Sequence, residues 1–206
     1  VGSEMCIRDS DNTVWVGTDA GLCRYNPEKD IFESCGYDFG EGKVQYATIK
    51  SLVEDSEGDL WIGTWAQGLF RYSSSTGRVE AYPKVNEQNS SHVIYEDSRK
   101  NIWVGSWGYG LFRLEHPKDM ERVSYVSYLH ENGNDTSLSD NIVYDISEDI
   151  HTNSLWVGTR SGLSILELGN LESFINYKSG KSVYLLPTDE INSILRDNQD
   201  NMWLGT

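Results

Sequence analysis

Hydrophobic residues occur along this chain in short clusters, and the longest apolar runs have only four or five residues. The clusters are bounded by Gly, Asp, Asn and Ser, which favour tight turns. No segment keeps the 3.6-residue period of an amphipathic helix. This pattern of short strand-like segments separated by turns predicts an all-β protein.

The clusters also repeat over long distances. A Trp-aliphatic-Gly-Thr/Ser motif occurs five times, with spacings of 46, 42, 53 and 47 residues between the Trp positions. These positions are Trp15, Trp61, Trp103, Trp156 and Trp203. Gly-Leu follows six or seven residues after each of the first four. We interpret the five occurrences as copies of one structural unit.

An Asp precedes four of the five Trp residues by six positions: Asp9, Asp55, Asp97 and Asp197. In the fourth copy the corresponding residue, Asp149, is shifted by one position. Asp55 and Asp197 stand in segments that look faintly like calcium loops, but the spacing and the closing Glu of such a loop are absent. We therefore expect each Asp to accept hydrogen bonds from the N–H groups of its own turn.

A period of roughly 40–50 residues with four short strands per unit is typical of a propeller blade. In the second copy the predicted strands are 48–54, 59–64, 68–73 and 78–82. In the third they are 92–96, 101–106, 110–115 and 123–129, and in the fourth 141–148, 154–159, 162–168 and 173–177. The Gly before Leu is expected to adopt a backbone geometry that a Cβ forbids. The Gly after Trp is expected to allow close approach of a neighbouring backbone.

The predicted fold is an all-β fragment of a β-propeller with about four to five four-stranded blades, incomplete at both ends and part of a seven-bladed ring. The predicted blade parts are 11–38, 48–82, 92–129, 141–177 and 191–206. Residues 1–10 have two interpretations, a non-native end or, through Met5–Asp9, an inner strand. In this fold the large Trp side chains are expected to fill the wedge between adjoining blades.

The net charge of the chain limits the kinds of molecule that this region can bind. The 206 residues include 17 basic and 32 acidic side chains, giving a formal net charge of −15. A nucleic-acid footprint needs clustered Lys and Arg, so nucleic acids and anionic membrane surfaces are excluded as partners of this region. The apolar runs are too short for a membrane-spanning helix. Three Cys residues argue against a disulfide framework.

The segments Leu138–Asp149, Leu155–Thr159 and Gly162-Leu163, together with Ile49–Thr64, closely resemble the two-component regulator propeller repeat. The resemblance recurs in every copy and covers nearly the whole chain. It implies the periplasmic sensor region of a hybrid two-component histidine kinase of the Bacteroidetes type, in which a β-sandwich domain, a membrane span and the kinase follow. It also implies detection of oligosaccharides and signalling to transcription. The chain itself carries no kinase ATP site, phosphoacceptor segment or DNA-binding helix pair.

The residue after each Gly-Thr/Ser varies among the copies while its surroundings repeat: Asp19, Trp65, Trp107 and Arg160. Binding residues are usually on such loops. Trp65 and Trp107 are expected at equivalent places on neighbouring blades, where their faces can stack on a sugar. Candidate hydrogen-bonding partners of the sugar are Gln67, Tyr109 and Arg160. The alternative is that both Trp side chains pack into the channel mouth or onto loops.

The links between copies carry a second group of polar residues, which could bind a glycan, bind the opposing protomer, or serve as solvated connections. These residues are Tyr46, Asn86, Asn89, Asn132, Asn134, Asp135, Lys181, Tyr184 and Asp189. Cys23 and Cys35 flank one predicted hairpin and could face each other across its strands, although two free thiols are the alternative.

No motif for catalysis, a metal or a cofactor stands out. The four His residues are scattered, and no His-Glu-x-x-His, paired-Cys or Gly-x-Ser-x-Gly pattern occurs. The leading hypothesis is a non-catalytic, ligand-sensing propeller whose partners are an oligosaccharide and a second copy of the sensor. A propeller enzyme, such as a polysaccharide lyase or glycosidase, and a pure protein-interaction scaffold remain as alternatives.

Overall fold

The structure is a computed structural model that describes residues 5–34, 47–83, 90–180 and 186–206. These ranges contain strands and turns and no helix, which confirms the all-β prediction. No helix within them is long and apolar enough to cross a membrane. The chain divides into two compact units, Val1–Glu96 and Asp97–Thr206.

The first unit contains two four-stranded antiparallel sheets and one further strand. The first sheet has the order β1-β2-β3-β4 and the second the order β5-β6-β7-β8. Their strands are β1 Met5–Arg8, β2 Val14–Thr18, β3 Gly21–Asn26, β4 Ile31–Ser34, β5 Ile49–Glu54, β6 Leu60–Thr64, β7 Leu69–Ser73 and β8 Arg78–Ala81, followed by β9 Val93–Glu96. Each sheet is an up-and-down meander, the arrangement of a propeller blade.

The second unit continues the same pattern. Strands β10, β11 and β12 pair in sequence, β13 to β16 form a four-stranded sheet, and β17 pairs with β18. The bounds are β10 Ile102–Gly105, β11 Leu111–Glu115, β12 Ser124–Tyr128, β13 Val143–Asp149, β14 Ser154–Thr159, β15 Gly162–Glu167, β16 Phe174–Tyr177, β17 Ser193–Arg196 and β18 Met202–Gly205. The strands predicted for the second, third and fourth copies all form, with ends that differ by at most two residues.

The first copy starts earlier than the predicted blade part 11–38. Met5–Arg8 forms β1 and pairs antiparallel with β2, so this segment takes the inner-strand position. The interpretation of residues 1–10 as a non-native end stays a prediction.

The repeated glycines perform the two roles expected of them. Gly21, Gly68, Gly110 and Gly162, which precede Leu, all have positive φ, between 82° and 135°. After the Trp, a Cβ on Gly17 would lie 2.5 Å from Ile49 Cγ2 in the next sheet. A Cβ on Gly158 would lie 2.7 Å from the Ile191 carbonyl oxygen. The glycines therefore set both the hairpin and the distance between successive copies.

The Asp residues before the Trp bind their own turns, as predicted, and also bind the Trp. Asp55 Oδ1 accepts from the Asp59 backbone N–H at 3.0 Å, and Asp55 Oδ2 accepts from Trp61 Nε1 at 2.8 Å. The same indole bond, at 2.7 to 2.8 Å, joins Trp15 to Asp9, Trp103 to Asp97 and Trp203 to Asp197. One carboxylate thus fixes the first hairpin of a copy and the orientation of its indole.

The five repeated Trp side chains differ in their exposure to solvent, although a strict repeat would bury them equally. Trp15, Trp61 and Trp103 are buried, Trp156 is half-buried, and Trp203 is 60% exposed. In the fourth copy the Trp156 indole donates to Ser154 Oγ at 3.2 Å instead of to an Asp. Trp203 itself lies in β18, which pairs antiparallel with β17.

A repeated carboxylate contact ties successive copies together, and we call it the Glu–Ser latch. The Glu at the end of an inner strand accepts from the N–H and the hydroxyl of the Ser in the preceding copy. The pairs are Glu54 with Ser10, Glu96 with Ser56, and Glu148 with Ser98. Each latch joins two adjacent copies within one unit.

Candidate functional site

The turn between the second and third strands of each copy is held by its Thr or Ser. In the second copy, Thr64 Oγ1 donates to the Gly68 carbonyl at 2.7 Å and accepts from the Gln67 backbone N–H at 3.0 Å. Equivalent pairs of bonds form at Thr18, Ser106 and Thr159. The variable residues Asp19, Trp65, Trp107 and Arg160 are therefore presented on a rigid turn, and we call these four positions the rim residues.

In the first unit the rim forms a connected group around Trp65. Its indole is 40% exposed, and Lys50 Nζ lies 5.9 Å from the ring centroid. The His92 ring stands edge-on to the same indole, with centroids 6.3 Å apart. Asp19 Oδ1 lies 3.9 Å from Lys50 Nζ. Trp65 thus offers an exposed aromatic surface next to one cation and one imidazole.

The imidazole of this group is biased toward its neutral form. Burial lowers the pKa of His92, and the neighbouring Lys50 ammonium lowers it further. A neutral imidazole carries one donor and one acceptor nitrogen, so His92 has the hydrogen-bonding capacity that hydroxyl groups require.

In the second unit the rim is built around Trp107 and Tyr144. Trp107 is 38% exposed, and the two rings meet edge-on with centroids 5.5 Å apart. The Tyr144 hydroxyl donates to Glu190 Oε1 at 3.0 Å. Burial raises the pKa of Tyr144, and the bond to Glu190 raises it further, so the phenol remains protonated at neutral pH.

Arg160, a predicted sugar ligand, is engaged by a carboxylate of the preceding link. Its Nε and Nη2 donate to Asp140 Oδ2 at 3.2 and 3.0 Å, and the Ser161 hydroxyl donates to the same oxygen at 2.7 Å. Burial raises the pKa of Asp140, but bonds from the Ile142 N–H, Ser161 and Arg160 outweigh it, and the pKa lies below its usual value. The link and the turn therefore lie on one face here.

The other two residues predicted to bind a sugar are Gln67 and Tyr109. Gln67 is exposed, and its Oε1 accepts from the Ala66 N–H at 3.4 Å. Tyr109 is half-buried, with its N–H bonded to Ser106 Oγ at 3.0 Å. Trp65 and Trp107 each follow the second strand of their own copy, in different compact units. A binding surface that includes both stays a prediction.

A second variable position lies on the inner strand and was not predicted from the sequence. Lys50, His92 and Asn192 stand eleven residues before the Trp of their copies, and Tyr144 stands twelve before Trp156. In β5 the pairing skips from Ile49 to Ser51, and in β13 from Val143 to Asp145. Lys50 and Tyr144 are thus the extra residues of two β-bulges, which redirect a side chain. This position could have been found from the sequence, because its residue varies among the copies while its distance from the Trp stays nearly constant.

The link residues divide between described and undescribed parts of the chain. Asn132, Asn134, Asp135 and Asp189 are described, whereas Tyr46, Asn86, Asn89, Lys181 and Tyr184 lie outside the described residues. Cys23 is a free thiol that pairs in register with Ser34, and Cys35 lies outside the described residues. Burial raises the pKa of the Cys23 thiol. Across the four described ranges, no group of three or more His, Cys, Asp or Glu could hold a metal ion.

Comparison with solved structures agrees with the fold. Virginiamycin B lyase from Staphylococcus aureus superposes with a TM-score of 0.68 at 13% identity, over 97% of this chain and 61% of that one. The extracellular domain of a proposed hybrid two component system, BT4673 from B. thetaiotaomicron, superposes with a TM-score of 0.56 at 23% identity, over 98% of this chain and 32% of that one. Together with the four-stranded meanders, these likenesses define a β-propeller fragment.

Three segments of the sequence match a family model. Residues 44–66, 86–108 and 185–206 match the model described as Two component regulator propeller. These three segments therefore carry two component regulator propeller repeats, which confirms the resemblance there. Histidine kinase P4 from Formosa agariphila is 31% identical over 74 residues, which is 34% of this chain and 5% of the kinase. The chain thus spans a small part of that relative and about a third of the BT4673 domain.

Proposed function

We propose that this chain is part of the extracytoplasmic sensor of a membrane-bound two-component histidine kinase that detects oligosaccharides in the periplasm. The match of three repeats to the two component regulator propeller model carries the proposal. The similarity to a histidine kinase and to an extracellular domain supports it. In this proposal the propeller binds and transmits, and the catalytic steps belong to the kinase.

We assign ligand recognition to the rim residues and their neighbours, within each unit. Trp65 and Trp107 supply partly exposed indoles, and the apolar faces of a sugar ring stack on such surfaces. Lys50 and His92 beside Trp65, and Tyr144 beside Trp107, supply hydrogen-bonding groups at the edges of these rings. An aromatic surface with a few polar groups around it is the usual composition of a small-ligand site.

Signalling requires a ligand that distinguishes two arrangements of the sensor. A bound oligosaccharide changes kinase output only if it binds one arrangement of a sensor dimer more tightly than the other. The rim suits this role because its side chains vary among the copies while the sheets beneath them repeat.

The test uses the whole gene product with Trp65→Ala and Trp107→Ala, singly and together. We expect the double variant to lose at least about tenfold in oligosaccharide affinity, equivalent to about 1.4 kcal/mol, and to lose transcriptional induction. Phe32→Ala, which removes an aromatic ring that is 56% exposed on β4, is the matched control. Binding and induction at the wild-type level in the double variant would remove the rim indoles from the proposal.

The same incubations test the enzymatic alternative. If the purified protein generates new reducing ends or unsaturated sugars from an oligosaccharide, the sensor proposal gives way to a propeller lyase or glycosidase. If the protein binds no oligosaccharide and signals in response to a protein partner, the interaction scaffold takes its place.

A further inference from the structure

The link that precedes the fourth copy borders an open polar cavity of about 280 Å³ in the second unit. Its walls are eight residues of the link between His130 and Ser139, together with Asn176 of β16 and Lys178, which follows β16. The volume is just under the about 300–1,000 Å³ of pockets for drug-sized ligands. The cavity therefore has the size for one sugar ring rather than for a whole oligosaccharide.

The cavity is preformed because the link is fixed to the sheet. The Asn176 side-chain amide donates to the carbonyl oxygens of Asp135 and Ser137 at 2.9 and 2.7 Å. The Phe174 N–H donates to the Thr136 carbonyl at 2.8 Å, and the Ser137 hydroxyl donates to the Asn134 carbonyl at 2.9 Å. A ligand entering such a site does not have to order the loop first, which lowers the cost of binding.

Four polar side chains on the wall keep hydrogen-bonding capacity. His130 Nδ1 lies 2.8 Å from the Leu138 carbonyl, which can only accept, so Nε2 of the neutral ring is an acceptor. Asn134 uses one oxygen of Glu131, at 2.9 Å, and the second oxygen has no hydrogen-bond partner among the described residues. Within the described ranges, the Asp135 carboxylate and the Lys178 ammonium also have no hydrogen-bond partner.

The cavity adjoins the rim. Ser139 Oγ and Thr159 Oγ1 are 2.8 Å apart, and Asp140, the next residue, binds Arg160. At the end of the same turn, a Cβ on Gly162 would lie 3.1 Å from Lys178 Cγ. The cavity and the Arg160 turn are thus neighbouring parts of one surface within this unit.

We infer that this cavity is a subsite for one neutral sugar unit of the oligosaccharide. The inference rests on the proposed function and assigns it a ligand class. The carboxylates of Glu131 and Asp135 accept from sugar hydroxyls, and Lys178 donates to a hydroxyl or ring oxygen. Two carboxylates against one ammonium repel a uronate or a sulfated sugar. Asn176 acts as a positioning residue that holds the link.

Binding of defined oligosaccharides to the 206-residue chain, measured by calorimetry, tests the inference. The probes are neutral gluco-, galacto-, manno-, xylo- and arabino-oligosaccharides and, separately, oligogalacturonides and sulfated oligosaccharides. We expect a neutral series to bind at least about tenfold more tightly than the acidic ones. We also expect Asp135→Ala and Lys178→Met each to weaken that binding at least about tenfold. Glu172→Ala, which removes an exposed carboxylate outside the cavity, is the control.

One further readout distinguishes the outcomes. In the wild-type chain, the His130 imidazole resonances are expected to shift when the neutral ligand is added, and this needs no variant to fold. If the wild-type chain binds oligosaccharides but both variants bind equally well and the His130 resonances stay fixed, the cavity is not the subsite and the proposed function stands. Preference for the acidic probes overturns the ligand class alone. Binding to none of the probes overturns both.

Discussion

The first and last junctions between copies share a glycine at the point of closest approach but differ in the side chains around it. At the first junction, sheet β1–β4 packs on sheet β5–β8, and at the last, sheet β13–β16 packs on the hairpin β17–β18. Gly17 lies close to the Ile49 side chain, and Gly158 lies close to the Ile191 carbonyl oxygen and side chain. This close approach is therefore independent of how well the rest of the junction is filled.

The side chains at the first junction form a closed core. Trp15 is 3% exposed and clusters with Leu22, Ile49, Leu60 and other apolar residues of the two sheets. The Tyr72 ring lies 5.3 Å from the Trp15 ring across the junction. The indole N–H is satisfied by Asp9, so the junction buries a large apolar surface without leaving a donor unpaired.

The last junction is only partly filled. Trp156 is half-buried, and an open cavity of about 270 Å³ lies among apolar residues of the fourth sheet and the last hairpin. Its lining consists of Trp156, Leu163, Ile165, Tyr177, Leu186 and Leu204. The latch is also absent, because Ile150 replaces the Ser and Arg196 replaces the Glu. In its place His151 Nε2 lies 2.9 Å from Asp200 Oδ2.

Removing the two indoles should produce the largest difference between the junctions. We expect Trp15→Ala to lower the free energy of unfolding by about 3–5 kcal/mol, as for other buried large-to-small changes. Trp156→Ala should cost less than half as much, because its indole already borders an open cavity. Urea unfolding followed by circular dichroism measures both, and equal costs would contradict the comparison.

Adding a methyl group at the close approach should affect both junctions alike. We expect Gly17→Ala and Gly158→Ala each to cost about 1–3 kcal/mol through overpacking. Gly169→Ala is the control, because its Cβ would meet no atom closer than 3.5 Å. Thermal unfolding measures the three variants. If Gly158→Ala proved neutral, the last copy would be free to move away from the fourth sheet.

Substitutions at the latch positions should have different effects on stability at the closed junction and at the last junction of the second unit. Glu148 is 4% exposed and accepts from Ser98 N at 2.7 Å and Ser98 Oγ at 2.6 Å. We expect Glu148→Gln to cost about 1–2 kcal/mol, because the buried amide satisfies the two donors less well than the carboxylate. Arg196→Gln, at the equivalent position of the last copy, should stay within about 0.5 kcal/mol. Urea midpoints measured under identical conditions decide between them.

The smallest expected effect is an opposite pH response of two carboxylates in β13. Burial raises the pKa of Asp145, despite bonds from the Ile194 and Ile146 N–H groups. Burial also raises that of Asp149, but bonds from the Thr152 hydroxyl and the backbone of His151 and Thr152 outweigh it, and its pKa is lowered. Ionised Asp145 therefore opposes folding above its raised pKa, and ionised Asp149 supports folding above the unfolded value near 3.9.

The two Asn variants should reveal these opposite signs. As the pH falls from 7 toward 3, the destabilisation due to Asp145 disappears, so Asp145→Asn should lose stability relative to the wild type. The stabilisation due to Asp149 is lost over the same fall, so Asp149→Asn should gain relative to the wild type. Urea midpoints across this pH range measure both slopes, and parallel slopes would show that the carboxylates do not differ in this way.

The strands and turns were predictable because they repeat. Gly21, Gly68, Gly110 and Gly162 mark tight hairpins in the first four copies, and the structure gives each a positive φ. The bond from the Trp indole to the Asp was not predicted, because it depends on how the hairpin folds the Trp side chain back over the preceding turn. Asp149 stands seven residues before Trp156, and in this fourth copy the indole donates to Ser154 instead.

Less of the candidate site than of the fold could be predicted from the sequence. The rim residues follow an obvious motif, so their variability was visible. Lys50 and Tyr144 stand in strands, where a regular register would predict strict alternation between the two faces, and only the bulges bring them beside the rim. The bond from Arg160 to Asp140, and the position of Lys178 on the wall of the cavity that the link also lines, depend on long-range packing that no local pattern encodes.

Each Glu–Ser latch points in one direction along the chain, from the Glu of a later copy back to the Ser of an earlier one. During synthesis, a Glu therefore always meets a Ser that has already emerged, so each new copy can dock on the one before it. When copies dock one after another in chain order, an unfinished copy exposes its strand edges to other nascent chains for a shorter time. A polypeptide exported segment by segment would benefit from the same order of assembly.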